Sequence, residues 1–186
     1  MRCASEKINT LFTILSWNCS GLKSKMKDQN IVEYLKYFDC IGLVETWCEE
    51  GKSFELPGFK MFSKTNVKQK VRGRVTGGIS VYVKSEFNSL ELKGVSKGIL
   101  WVRLKLEQHG LVFGEIYNPP EYSEYCNSAF FEELETDLLN FQEQYPEDEI
   151  CLCGDLNVRV GEGQDFDGEL DSNFFTHLLC GEQNSA

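Results

Sequence analysis

The chain has 186 residues, 41% hydrophobic and 26% charged, with 13 Phe, 7 Tyr and 3 Trp. That length fits one ordinary domain able to bury a core without metal or disulfide staples, and the apolar content argues against intrinsic disorder. No apolar run approaches bilayer-spanning length and no apolar signal segment opens the chain, which excludes a helical membrane protein and points to an intracellular one.

The net charge of −10 divides unevenly, into +7 over residues 1–114 and −17 over residues 115–186. Two readings fit that asymmetry: a nucleic-acid face beside a metal-binding face, or a solvated acidic helix and loop. Eight Cys are present, none in C-x-x-C spacing, so a structural zinc site is not expected and the thiols read as reduced, small core residues.

In chain order, residues 11–17 predict a buried strand. Ile31, Leu35 and Phe38 predict a helix within 25–38, and residues 40–44 a second strand. Strand, helix and strand in about thirty residues make a βαβ-like unit with parallel strands. Strands follow at 59–63 and 78–84, separated by a basic loop, 64–74, carrying Lys64, Lys68, Lys70, Arg72 and Arg74. Residues 99–106 and 111–117 read as a hairpin, with Pro119-Pro120 ending its second strand. Residues 128–144 predict the clearest helix, with Ser128 as N-cap and Phe130, Leu134, Leu138 and Phe141 as its apolar stripe. A strand at 149–153 ends at Gly154, residues 159–173 read as loop, and 174–180 as a short helix or strand.

Polar residues recur where the apolar strands stop. Asn18, Glu45, Tyr117 with Asn118, and Asp155 with Asn157 each follow a predicted strand. In layered α/β proteins the carboxyl ends of strands are where ligands bind. Each residue alone also fits a turn or a surface position, but together they offer an oxygen-rich donor set without His or Cys. Such a set suits Mg²⁺ rather than zinc, and Mg²⁺ with one or two carboxylates suits phosphate-ester hydrolysis.

Five segments carry a more specific likeness. Ile14-Leu-Ser-Trp-Asn-Cys-Ser-Gly-Leu22, Asp39-Cys-Ile-Gly-Leu-Val-Glu-Thr-Trp47, Gly77-Gly-Ile-Ser-Val-Tyr-Val83, Ile116-Tyr-Asn-Pro-Pro120 and Gly154-Asp-Leu-Asn-Val-Arg-Val-Gly161 occur in that order. The set resembles the endonuclease/exonuclease/phosphatase (DNase I-like) superfamily, and most of all the endonuclease domain of non-LTR (LINE-type) retrotransposons. The resemblance implies a four-layer α/β sandwich: two mixed β-sheets face to face with helices outside. It implies Glu45 as Mg²⁺ ligand (Mn²⁺ substituting) with Asn18 beside it, and Tyr117 reaching the scissile phosphate. Asp155 would orient or deprotonate the attacking water, and Asn157 would help hold the phosphate oxygens. Asn118 and the basic loop, Lys68, Lys70, Arg72 and Arg74, would contact substrate, the loop binding DNA backbone phosphates. The implied activity is DNA nicking, in the nucleus where a retroelement endonuclease works, with no membrane partner.

Relatives also carry a later Ser-Asp-His motif whose His is essential, and none occurs up to Ala186. His109 and His177 lie in contexts that do not replace it. The expectation is a single domain over 1–186, incomplete at its C-terminal strands, with unpaired sheet edges and weak or no DNA cleavage alone. Two alternatives stay open: a non-catalytic remnant or interaction module, and a phosphoinositide or sphingolipid phosphodiesterase of the same superfamily.

Overall fold

The computed structural model describes residues 11–49, 54–65, 76–106, 109–120 and 122–157. They build two four-stranded sheets. In the first, β1 (Ile14–Asn18), β2 (Cys40–Val44), β3 (Phe59–Lys64) and β4 (Ile79–Lys84) lie in the order β1-β2-β4-β3. In the second, β5 (Asn88–Leu92), β6 (Ile99–Lys105), β7 (Gly110–Tyr117) and β8 (Glu149–Asp155) lie in sequence order. Both sheets are mixed. β1–β2 and β7–β8 are parallel, and the remaining pairs are antiparallel.

Alternation along the strands sorts the side chains into three apolar layers. Cys40, Val44, Val81 and Val83 of the first sheet meet Leu100, Val102, Leu104 and Phe113 of the second between the sheets. Outside the first sheet, Leu22 of α1 (Leu22–Lys25) and Leu35 of α2 (Gln29–Leu35) cover Ile41, Leu43 and Tyr82. Outside the second, the Phe130, Leu134, Leu138 and Phe141 stripe of α3 (Phe130–Gln144) covers Trp101, Val112 and Ile116. Helix, sheet, sheet, helix is the four-layer sandwich expected from sequence. All five residues of central β2 are buried, whereas β1 and β8, the outer strands on the site's side, hold no fully buried residue.

Several local expectations are corrected. The helix predicted within 25–38 is shorter, α2 alone at Gln29–Leu35, because Asp28 N-caps it by accepting the Asn30 amide at 2.9 Å; the separate short α1 ends at Lys25, where the predicted span begins. Ser128 is not the N-cap of α3: Ala129 is, without a side-chain bond, while Asn127 accepts the Ala129 amide and donates to Glu133. Strand β1 starts at Ile14 rather than at 11 and includes Asn18, and β8 runs through Gly154 to Asp155. Strand β5, Asn-Ser-Leu-Glu-Leu, was not expected, since only Ser89 and Leu92 of it are buried. The expected hairpin forms as β6 and β7. Residues 159–173 and 174–180 lie outside the described residues.

Of the six described cysteines all are free; Cys19, Cys40 and Cys48 are buried, Cys151 and Cys153 half-buried, and Cys126 exposed. Among the described residues no helix is long and apolar enough to cross a membrane.

Candidate phosphodiester and cation site

Four strands deliver their carboxyl ends to one place. Asn18 ends β1 and stands in register with Val44, the last residue of β2, so Glu45 follows immediately beside it. Tyr117 ends β7 and is the register partner of Asp155, which ends β8. Side chains then close the gap between the sheets. The Asn18 amide donates to Asp155 Oδ2 at 2.9 Å, and the Tyr117 hydroxyl donates to Glu45 Oε1.

Glu45 is held rigidly. Its Oε2 accepts the Trp47 indole N–H at 2.5 Å and the Gly77 amide at 3.2 Å. Its backbone lies between two neighbouring segments. Gly21 N donates to Glu45 O at 2.8 Å on one side, and Trp47 N donates to Gly77 O at 2.9 Å on the other. Gly21, at φ 102°, admits this packing: a Cβ there would lie 2.6 Å from the Trp47 ring.

Among the described residues, the non-glycine ones with positive φ are Ser20 (44°), Glu45 (55°), Trp47 (53°) and Asn157 (49°), and all lie in or beside this cluster. Such conformations are uncommon outside glycine and persist only where surrounding bonds over-determine them, as they often do at functional sites. Ser20 shows the device: its amide and hydroxyl both donate to Asn18 Oδ1, at 3.2 and 3.3 Å, which fixes the Asn18 side chain with its amide toward Asp155.

Asp155 keeps acceptor capacity, since Oδ1 takes only the Asn157 amide at 3.1 Å besides the Asn18 bond on Oδ2. Asn157 donates its side-chain amide to Asn118 O at 2.9 Å. Asn118 is buried; its backbone amide donates to Asp155 O at 2.9 Å and its side-chain amide to Leu156 O at 3.2 Å, while its Oδ1 is buried without a partner. Asn118 thus ties the ends of β7 and β8 together. Burial, first, and the neighbouring Glu45 carboxylate push the Tyr117 phenol well above its ordinary range, so its hydroxyl remains a proton donor at neutral pH.

The five basic residues separate. Lys64 is not part of an exposed basic loop: it ends β3, and its ammonium donates to Ser96 O at 2.9 Å and Ile99 O at 3.0 Å. Burial lowers its pKa. Lys68, Lys70, Arg72 and Arg74 lie outside the described residues, as does His177. Described His109 faces Glu149 at 3.9 Å, in the β6–β7 turn.

Sequence reasoning missed Trp47, Gly77 and Ser20 as groups that hold the cluster. The Glu-x-Trp spacing after β2 was the one visible signal for Trp47; the others depend on contacts across the fold. Among the described residues no three or more His, Cys, Asp or Glu are grouped to hold a metal ion. The donors present nevertheless fit Mg²⁺ or Mn²⁺. Glu45 and Asp155 supply carboxylates beside neutral amides, and such cations are commonly bound by one or two carboxylates plus water and substrate phosphate.

The fold is shared with solved structures of low identity. The endonuclease domain of TRAS1, a telomere-specific non-LTR retrotransposon, superposes with TM-score 0.53 at 14% identity, over 81% of this chain and 61% of that one. The Xenopus laevis APE2 catalytic domain gives 0.58 at 18% identity, over 78% and 58%. TDP2 from C. elegans gives 0.57 at 15% identity, over 83% and 51%. The chain therefore spans half to three fifths of these structures' length. No curated protein matches it significantly. The profile of the Endonuclease/Exonuclease/phosphatase family matches residues 15–178, a span that takes in both sheets and the whole cluster, and the chain belongs to that family.

Proposed function

We propose that the cluster of Asn18, Glu45, Tyr117 and Asp155 binds a divalent cation and a DNA phosphodiester, as part of a Mg²⁺-dependent nicking endonuclease of the retrotransposon type. The observation that carries the reading is the convergence of two carboxylates, a neutral phenol and two Asn amides at four strand ends, on strained and over-determined backbone.

A cation held by Glu45, with Asn18 beside it, would neutralise phosphoryl oxygens and lower the pKa of a bound water. The chain's own groups do the rest. Tyr117, kept protonated, donates toward a phosphate oxygen where charge develops. Asp155, oriented by Asn18 and by the Asn157 amide, has a free lone pair with which to align or deprotonate water. Asn157 sits at the rim, its amide anchored on Asn118 O. A DNA substrate is supported by the likeness to a retrotransposon endonuclease domain, and by the basic composition of residues 68–74.

The test is anisotropy of a fluorescent duplex oligonucleotide titrated with the chain, with Mn²⁺ and with chelator. Binding that requires the cation, weakens with salt and is lost in Glu45→Ala supports the reading. Cation-independent binding, equal in the variant, contradicts it.

A further inference from the structure

One buried acid has no part in the cluster. Glu115 points from β7 into the space between the sheets and is fully buried. Its Oε1 accepts the Ser16 hydroxyl of β1 at 2.8 Å, and its Oε2 is buried without a partner. Strand alternation puts it one layer below the site: Ser16 is two residues before Asn18 on β1, Glu115 two before Tyr117 on β7, and Cys153, its register partner, two before Asp155 on β8. The opposing residue of β2 is Gly42, the register partner of Ser16. A Cβ on Gly42 would stand 1.9 Å from Glu115 Oε2 and 2.2 Å from its Cδ, so the glycine is the recess that seats the carboxyl.

An acid in that position is expensive to bury, and an apolar side chain would fill the layer without an orphaned oxygen. What an apolar residue lacks is a directional bond to β1. Among the described strands, β1 pairs with β2 alone, on one side. The described side-chain hydrogen bonds from β1 to the second sheet are Ser16 to Glu115 and Asn18 to Asp155. The lower bond therefore fixes the height at which the upper one forms.

We infer that Glu115 is a positioning residue: through Ser16, and seated in the Gly42 recess, it holds β1 over the second sheet so that Asn18 meets Asp155. As a statement about a cation site this rests on the function proposed above; as a statement about the Asn18–Asp155 contact it does not.

The experiment follows the Asn18 side-chain amide resonance by ¹⁵N NMR, alongside Mn²⁺ binding, in the wild-type chain and in Glu115→Gln, Glu115→Ala, Ser16→Ala and Gly42→Ala. Expected is an unmoved Asn18 signal and Mn²⁺ affinity within about two-fold in Glu115→Gln, which keeps the acceptor. Ser16→Ala and Glu115→Ala shift the signal and weaken Mn²⁺ by about five-fold, the size of one lost hydrogen bond. Gly42→Ala, whose added Cβ displaces the Glu115 carboxyl, shifts it as well. An Asn18 signal unmoved in Ser16→Ala, whatever the melting temperature does, overturns the inference. Ser16 is exposed, so that variant decides the matter even where Glu115→Ala fails to fold. A wild-type chain that binds no Mn²⁺ contradicts the proposed function, and the amide resonance still decides the positioning role.

Discussion

Tyr117 and Glu45 show how much one hydrogen bond is asked to do. Tyr117 belongs to the second sheet and Glu45 directly follows β2 of the first, and the phenol meets a carboxylate already engaged by Trp47 and Gly77. Tyr117→Phe removes that link and leaves Glu45 Oε1 open to water. Because the carboxylate remains, Mn²⁺ affinity is expected to change by no more than about five-fold, one hydrogen bond's worth. Cation-dependent cleavage in a form of the protein that turns over should fall further, since the phenol donates where charge develops. Equal losses in binding and turnover would show that Tyr117 serves only to shape Glu45. These residues were legible because they sit in short motifs at strand ends. Ser20 and Gly77 were not, because a serine and a glycine in loops carry no sign of which carboxylate or amide they will meet.

At the scale of elements, apolar periodicity found β2 to the residue and the buried stripe of α3. It ran α2 too far at both ends, because an N-cap aspartate inside a helical pattern looks like any exposed acid. Asp28→Ala is expected to destabilise the chain by about 1 kcal/mol in urea unfolding; no change would mean that α2 is held by packing alone. Asp137 was invisible for the same reason, an acid among the acids of α3. It is buried, and it accepts the Val95 amide at 2.5 Å, the Ser96 amide at 3.2 Å and the Trp101 indole at 3.0 Å. It thereby fixes the 93–98 turn, whose Gly98 carbonyl takes the Tyr117 amide at 2.9 Å. Asp137→Ala leaves three donors short of a partner and should cost about 3 kcal/mol or more. A loss below about 1 kcal/mol would show that water replaces the carboxylate.

At the scale of the molecule, the described residues of the two sheets meet through an apolar layer into which Glu115 brings an acid. Burial, above all, pushes the Glu115 carboxyl up to about 8, the Ser16 bond opposing and the nearby Cys151 thiol adding to the rise. The groups facing it are Ser16 on β1, Cys40 on β2 and Cys151 and Cys153 on β8. In the unfolded chain a glutamate loses its proton near pH 4.3. Between there and about pH 8 the folded state holds a proton that the unfolded state has released. Stability should therefore decline as pH rises through that window, by at most about 1.4 kcal/mol per pH unit. Urea midpoints at pH 5, 6.5 and 8 check this: the decline should be present in the wild type and flattened in Glu115→Gln. The same slope in both would assign it to other groups. The sandwich itself was legible from motif order, but Glu115 was not, since one acid in an apolar strand reads as an outward residue until the opposing glycine is seen.

In the function proposed above, the Glu45 and Asp155 carboxylates, brought together from the two halves of the sandwich, share one cation. Isothermal titration of Mn²⁺ into the wild-type chain, Glu45→Ala and Asp155→Ala tests it most directly. One site is expected in the wild type, with affinity reduced at least ten-fold, about 1.4 kcal/mol, in each variant. Equal Mn²⁺ binding by all three chains would contradict it.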